Sequence, residues 1–283
     1  MNALSPLVFV PASMQSGVLV ERLHALAATQ GLTSEFVAEK ATDELIAAQT
    51  ADVCIYQDLD FDLLHPDARW SVALPDSMED LIAIHKLLQP DQPDHWALTH
   101  GSSAAAGVHW LREHGAEVIR FDDLTPAKID VDLSASVAEL ESLYAQWPLV
   151  PGQSWDWRAA LIATSPAYTP DHEGWVNLTG RARHILAGPF IFLLPGIWKI
   201  DLDLEVDVET GSPRLAFQWG GAALEKTLFT TLLRKSGRYH VTLEARITRP
   251  DAAHCMVATD AAQLQGFLKL RDMKLTYLAA LSD

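Results

Sequence analysis

An α/β unit followed by an all-β unit is the fold class this sequence predicts, and three observations predict it. Short apolar runs alternate with helical stretches up to about residue 121, and the apolar period then drops to two between residues 198 and 277. The third observation is charge. Residues 1–167 hold 8 Lys/Arg against 24 Asp/Glu, whereas residues 168–283 hold 13 of each, so the whole formal charge of −16 belongs to the first part. A chain of 283 residues accommodates two domains of ~100–200 residues. We expect an acidic α/β domain over 1–146, a Pro/Trp-rich linker over 147–170 that opens with Trp147-Pro148-Leu149-Val150-Pro151-Gly152, and a β-sandwich domain over 171–283.

In the first unit, Leu7–Val10 is a proline-bounded apolar run that suits a buried strand. Val18–Ala28 carries Val18, Leu19, Leu23, Leu26 and Ala27 on one helical face and stops at Gly31, a C′ glycine. Glu35–Ala38 reads as a strand and Thr42–Gln49 as a helix with Thr42 as N-cap. Val53–Tyr56 and Ser71–Leu74 read as strands, and a helix over Met78–Leu88, capped by Asp76 or Ser77, closes at Pro90. Trp96–Thr99 then reads as a strand, Ser102–Glu113 as a helix, Glu117–Phe121 as the last strand and Ser136–Tyr144 as an amphipathic helix. Strands separated by helices of this length predict a small doubly wound parallel sheet.

In the second unit every even position from Trp198 to Val208 is apolar, while Lys199, Asp201, Asp203, Glu205 and Asp207 fill the odd ones. That is a strand with one wet face, whose charges also discourage edge pairing. Tyr239–Ile247 repeats the pattern, and the alternation through Leu268 and Leu270 slips phase at Arg271-Asp272 before resuming at Met273, as a β-bulge makes it do. With shorter candidates at Trp175–Leu178, His184–Ala187, Leu215–Trp219, Leu228–Leu233 and Cys255–Ala258, about eight strands predict an antiparallel jelly-roll-like sandwich.

Composition excludes several function classes. A net charge of −16 repels phosphate backbones, so nucleic acid is not an expected partner. The N-terminus has no basic region, and Pro6 and Pro11 confine its apolar run to four residues, short of a signal core. Gly188, Pro189, Pro195 and Gly196 interrupt the longest apolar stretch, so no membrane insertion is expected. Cys54 and Cys255 read as two buried thiols in a reducing compartment, and the cytoplasm is the expected location.

The stretch Leu178-Thr179-Gly180-Arg181-Ala182-Arg183-His184 precedes Gly188-Pro189-Phe190-Ile191-Phe192-Leu193-Leu194-Pro195-Gly196-Ile197-Trp198. Gly188-Pro189 and Pro195-Gly196 read as two turns bracketing a strand, behind a polar cluster of Arg181, Arg183 and His184. Over residues 174–208 the sequence resembles a jelly-roll, carbohydrate-binding-module-like domain of bacterial surface-polysaccharide and glycosyltransferase-associated proteins. In that family a segment like LTGR-R is followed by GPY-x-L-x-PG-x-W, and Phe190 stands here in place of the usual Tyr. The resemblance implies a carbohydrate context and brings no catalytic residues with it.

Three groups of residues are candidates for chemistry. Trp219, before Gly220-Gly221 at a strand end, is the tryptophan best placed for exposure, although a sandwich core also wants Trp and core packing competes there with a sugar platform; at the surface, with Arg181 and Arg183, it would stack on a sugar ring while the guanidinium groups take hydroxyls or a uronic carboxylate. Asp58 and Asp60 form a D-x-D after the strand Val53–Tyr56, where α/β domains bind ligands, and a solvated loop competes there with a divalent-metal site. Ser102 and Ser103 follow His100-Gly101 at the expected start of a helix, where an ordinary Ser cap competes with an anion held by free N–H groups; Ser103 in G-x-S-x-A also loosely resembles a nucleophile elbow. No motif calls for a cofactor. The expected function is accessory: binding of carbohydrate or of polysaccharide-assembly proteins through the sandwich. A glycosyltransferase-like enzyme using the strand ends of the α/β domain is the alternative, and a self-associating homo-oligomeric interaction protein is the third class. Convergence of Asp58, Asp60 and Ser102 on one pocket would favour the enzyme, and the direction of the apolar strand faces in residues 212–233 would separate self-association from sugar binding.

Overall fold

The computed structural model describes residues 7–11, 16–64, 70–73, 81, 94–119, 142–144, 148–157, 163–164, 171, 173–208, 212–221 and 226–281. The chain divides into two compact units, Met1–Tyr144 and Ala145–Asp283.

The first unit contains β1 (Leu7–Phe9), α1 (Ser16–Thr29), β2 (Ser34–Val37), α2 (Asp43–Ala48), β3 (Val53–Tyr56), β4 (Trp70–Ala73), α3 (Asp94–Glu113) and β5 (Glu117–Ile119). Its strands form a sheet ordered β2-β3-β1-β4-β5, and every pair is parallel. The runs are unbroken in hydrophobicity because both faces are covered. Leu7, Phe9, Cys54, Tyr56, Trp70 and Val72 pack with Val108 and Leu111 of α3 on one side; Val8, Val10, Val53, Ile55 and Ala73 pack with Leu19, Leu23 and Ala27 of α1 on the other. Thr42 is extended at φ −129° and its hydroxyl accepts from the Leu45 N–H, as an N-cap does. At the end of α1, Gly31 takes φ +73°, its N–H bonds the Ala28 carbonyl, and Leu32 N–H bonds the Ala27 carbonyl, the paired closure of a Schellman motif.

One expectation fails here. Trp96–Thr99 is not a strand, because α3 begins at Asp94 and runs without a break to Glu113. The buried positions Gly101, Ala105 and Val108 keep helical spacing through the supposed turn, and the Ser102 hydroxyl bonds the Thr99 carbonyl one turn back instead of capping anything. The expected helix over Met78–Leu88 lies outside the described residues except for Leu81, which is helical and buried, and of Ser136–Tyr144 only 142–144 are described, as helix.

The second unit is all β: β6 (Ser154–Trp157), β7 (Ala163–Thr164), β8 (Val176–Asn177), β9 (Arg183–Leu193), β10 (Gly196–Asp207), β11 (Arg214–Gly221), β12 (Lys226–Leu232), β13 (Gly237–Ile247), β14 (Asp251–Thr259) and β15 (Phe267–Ala279). One sheet is ordered β13-β10-β15-β6, with β8 beside β15; the other is ordered β12-β11-β14-β9-β7. The eight principal strands therefore follow the jelly-roll order, β6-β15-β10-β13 against β9-β14-β11-β12. The bulge is where the phase slip predicts it: Asp272 pairs with Asp203 and Leu270 with Leu204, which leaves Arg271 unpaired.

Two further expectations need correction. Residues 147–170 do not form a mere linker, since β6 pairs with β15, its Trp155 and Trp157 are buried, and β7 pairs with β9. Alternation of buried Trp with exposed Ser154 and Asp156 marks β6 as a strand, which the density of prolines around it masks. Nor is Gly188-Pro189 a turn. Its peptide is cis, yet β9 continues through it, with Pro189 opposite His254 and Ile191 opposite Ala253, so Phe190 is the extra residue of a second bulge.

Candidate functional site

The carboxyl ends of β1, β2 and β3 border a cleft of about 240 Å³, lined by Phe9, Ala38, Gln57, Asp58, Leu59, Phe61, His100, Ser103 and Ala104. Gly107 lets α3 approach this end of the sheet closely, since a Cβ there would lie 3.1 Å from Leu59 Cδ1 and 3.3 Å from the Phe9 ring. Burial lowers the pKa of His100 and outweighs the nearby Asp58 carboxylate, which raises it. Of the three residues whose convergence would mark an enzyme, only Asp58 lines this cleft. Asp60 is turned to its own loop, where Oδ1 accepts from the Asp62 N–H, and Ser102 is fully buried inside α3.

Neither the metal nor the anion expectation gains support from this geometry. Asp58 Oδ1 accepts from the Leu59 N–H and Oδ2 lies 3.6 Å from Lys40 Nζ, while no group of three or more His, Cys, Asp or Glu could hold a metal ion among the described residues. Ser102 and Ser103 stand in the middle of a 20-residue helix, where backbone N–H groups bond the preceding turn and none is left for an anion.

The expected sugar site does not assemble either, because Trp219 is a core residue. It is fully buried, and its indole N–H reaches the Trp198 carbonyl across the sandwich at 3.4 Å. Trp219 pairs with Cys255, whereas Arg183 pairs with Thr259, four residues and roughly 13 Å further along β14. Arg183 donates to the Thr179 carbonyl, which holds it over the turn before β9, and Arg181 is exposed at that turn.

The two outward faces of the sandwich differ sharply. On β10 and β13 the outward positions are Lys199, Asp201, Asp203, Glu205 and Asp207 beside Arg238, His240, Thr242, Glu244 and Arg246. Lys199 Nζ lies 2.8 Å from Asp201, Thr242 donates to Asp201 at 2.6 Å, and His240 Nδ1 lies 2.7 Å from Asp203. The Asp203 hydrogen bond raises the pKa of His240 against a small desolvation, and the Asp201 charge adds to the rise. Partial burial opposes ionisation of Asp201, but the bonds from Lys199 and Thr242 prevail and hold its carboxyl low.

The face of β11, β14 and β9 carries no carboxylate, lysine or arginine at its outward positions between Ala216 and Gly220, Ala252 and Ala258, or His184 and Phe192. Register aligns Gln218, Met256 and Ala187 in one row, and Gly220, His254 and Pro189 in the next. Phe190, at φ +59°, lays its ring on the His254 imidazole with centroids 4.8 Å apart and planes 22° from parallel. His254 is 7 % exposed and its Nδ1 has no hydrogen-bond partner among the described residues. Burial, reinforced by the Lys226 charge, lowers its pKa. Phe190, Gln218, Met256 and Phe192 remain half-buried. The bulge that creates this platform had a signal in the sequence: alternation through Ile191 and Leu193 is out of phase with Leu186, the same slip that marks Arg271.

The chain matches no protein-family model and no curated protein. Among solved structures it is similar to the CBM22-1 xylan-binding domain of Paenibacillus barcinonensis Xyn10C, at 10 % identity and a TM-score of 0.33, over 47 % of this chain and 99 % of that one. It is similar to TmCBM61 in complex with β-1,4-galactotriose, at 10 % identity and a TM-score of 0.28, over 45 % of this chain and 88 % of that one. A third similar structure is the CBM36-1 domain of a multidomain xylanase from the hindgut metagenome of Trinervitermes trinervoides, at 14 % identity and a TM-score of 0.24, over 37 % and 79 % of the two chains.

Proposed function

We propose that the sandwich unit binds an oligosaccharide on the outward face of β9, β14 and β11, and that the protein serves polysaccharide assembly as an accessory factor. The observation that carries this reading is Phe190 stacked on His254, beside the Gln218 amide, where the neighbouring outward positions of β9, β14 and β11 carry no formal charge and Lys226 of β12 ends the His254 row. A sugar presents an apolar C–H face and a rim of hydroxyls, which such a surface answers with an aromatic ring and an amide that both donates and accepts. A non-glycine residue held at positive φ is a feature that concentrates at binding sites. Arg181 and Arg183, at the turn before β9, would take hydroxyls or a uronic carboxylate at one end of the face. The buried free thiols Cys54 and Cys255 support a reducing compartment, the cytoplasm. Among the described residues no helix is long and apolar enough to cross a membrane.

Calorimetric titration with xylo-, cello-, galacto- and uronic oligosaccharides tests the reading. We expect one class to bind and Phe190→Ala to weaken it about tenfold or more, a loss of about 1.4 kcal/mol, in a protein that melts like the wild type. Absence of binding across the panel, or full affinity in the Phe190→Ala protein, would reject the site.

A further inference from the structure

β12 is the edge strand of its sheet, and all its residues but Thr231 are exposed. Leu228 is 68 % exposed, Phe229 46 % and Leu232 45 %, so three of the large apolar side chains left in solvent sit on one strand. Among the described residues β11 is its ladder partner, on one side. On the other side the Thr227 hydroxyl reaches the Glu244 carbonyl of β13, and no ladder to another strand follows over Leu228–Leu232 among the described residues. Such an edge presents alternate unpaired N–H and C=O groups to solvent, and proteins ordinarily protect it with charge, proline or a bulge. Leu228-Phe229-Thr230-Thr231-Leu232 has none of these. The contrast with β10, whose outward positions from Lys199 to Asp207 are all charged, lies within one domain.

We infer that this edge pairs with the same edge of a second copy of the chain, antiparallel and two-fold about Thr230. In that register Leu228 faces Leu232 of the second copy, Phe229 faces Thr231, and Thr230 faces itself. Apolar meets apolar, and the aromatic meets a β-branched residue, which are the stabilising cross-strand combinations. The faces also agree. Leu228 pairs with Gln218, Thr230 with Ala216 and Leu232 with Arg214, all outward positions of β11, so the paired side chains emerge on one side of the joined sheet.

The five residues carry no charge and so offer an acidic or a basic partner no counter-charge. Lys226 and Arg234, which this register brings opposite each other at the ends of the ladder, are exposed and screened by solvent, and the −16 that would drive two copies apart resides in residues 1–167. The contact is isologous, so it closes at two and does not propagate. Five residue pairs make a small interface, and a weak, concentration-dependent dimer is what it can support. The pairing stands independently of saccharide binding. Leu228 shares its row with Gln218 and Met256, so the dimer would join two platforms into one surface.

Sedimentation velocity of the full chain from about 1 to about 100 µM reads the association. The weight-average mass should climb from 31.1 kDa toward twice that value. Leu228→Lys and Leu232→Glu should each hold the protein at the monomer mass with an unchanged circular dichroism spectrum, since both positions are exposed. Mixing the two variants should restore the heavier species. The lysine introduced in one copy then faces the glutamate introduced in the other, while the leucine that each variant keeps meets its counterpart. A wild type that stays at 31.1 kDa throughout, variants that associate like the wild type, or a mixture that stays monomeric would each overturn the inference.

Discussion

Each of the two sheets has two register shifts, and the shifts at Arg271 and at Phe190, one on each outward face, do opposite things. On the β10 side the extra residue is Arg271, which is exposed and reaches Glu205 at 3.0 Å. On the β14 side it is Phe190, half-buried and stacked on a buried imidazole. A bulge frees one side chain from the strict alternation of a strand and re-aims it. Where the neighbours are Lys199, Asp201 and Asp203, the re-aimed residue completes a network of solvated ion pairs, a surface that contributes little energy and repels strand partners. Where the neighbours are Gln218, Met256 and Ala187, it makes a platform that a hydrated polar surface could not provide. Both faces cover the same core, so their difference reflects what each meets outside the domain.

The two faces share one core, and the largest expected effect tests that. Trp219 and Trp198 are both fully buried between the sheets. Trp219→Ala should therefore cost about 3–5 kcal/mol in urea unfolding of the full chain, the usual range for deleting a buried aromatic. A loss under about 1 kcal/mol would return Trp219 to the surface and undo the assignment of inner and outer positions on β11. Phe190→Ala should fall well below Trp219→Ala on the same assay, because Phe190 packs on the outside of the sheet.

Much of this architecture was legible in the chain. Leu7, Val53 and Ser71 begin runs that parallel strands occupy, Thr42 marks a helix start by its hydroxyl and Gly31 a helix end by its freedom to take positive φ, and the slip at Arg271 specifies a bulge. These are local signals, fixed by neighbours a few residues away. The failures share a different cause. Trp96–Thr99 looks like a strand when Gly101 is read as a turn, whereas close packing of α3 explains a glycine at Gly107 and small residues beside it. Trp219 looks terminal because Gly220 and Gly221 follow it, yet Gly221 stays in the strand because a side chain there would collide with Asp251. Gly107 and Gly221 each serve a contact distant in sequence, and only the fold reveals which. The platform residues Phe190 and His254 lie 64 positions apart and carry no motif in common.

A smaller effect separates the two faces by pH. His254 has its pKa lowered, so between its folded value and the unfolded 6.5 the unfolded chain binds the extra proton. Its contribution to stability is complete above about pH 6.5 and is lost as the pH falls below that value. His240 has its pKa raised by Asp203, so its contribution is complete below the unfolded 6.5 and is lost as the pH rises through the folded value. Denaturation midpoints measured from about pH 5 to about pH 8 should show His254→Gln flattening the acid limb and His240→Gln flattening the opposite one. The His240 effect should be the weaker, because its side chain is 59 % exposed and solvent screens the pair. Slopes of the same sign in both variants would erase the distinction between the faces.

The smallest expected effect concerns the charged bulge itself. Arg271 and Glu205 form their ion pair with side chains 41 % and 29 % exposed, at a site where Glu205 also faces Lys269 across the ladder. Solvent screening and the entropy of fixing two long side chains limit such a pair to about 0.2–1 kcal/mol. Because Lys269 offers Glu205 a second cation, removal of Arg271 should leave part of the attraction in place and bring the coupling to the lower part of that range. A double-mutant cycle with Arg271→Ala and Glu205→Ala isolates it, and the coupling should shrink further when salt is raised from about 0.05 to about 0.5 M, as the screening length contracts. A coupling above about 2 kcal/mol, unmoved by salt, would mean that this bulge, like the one at Phe190, works in a desolvated setting. The wet face would then be a second binding surface and not a solvated wall.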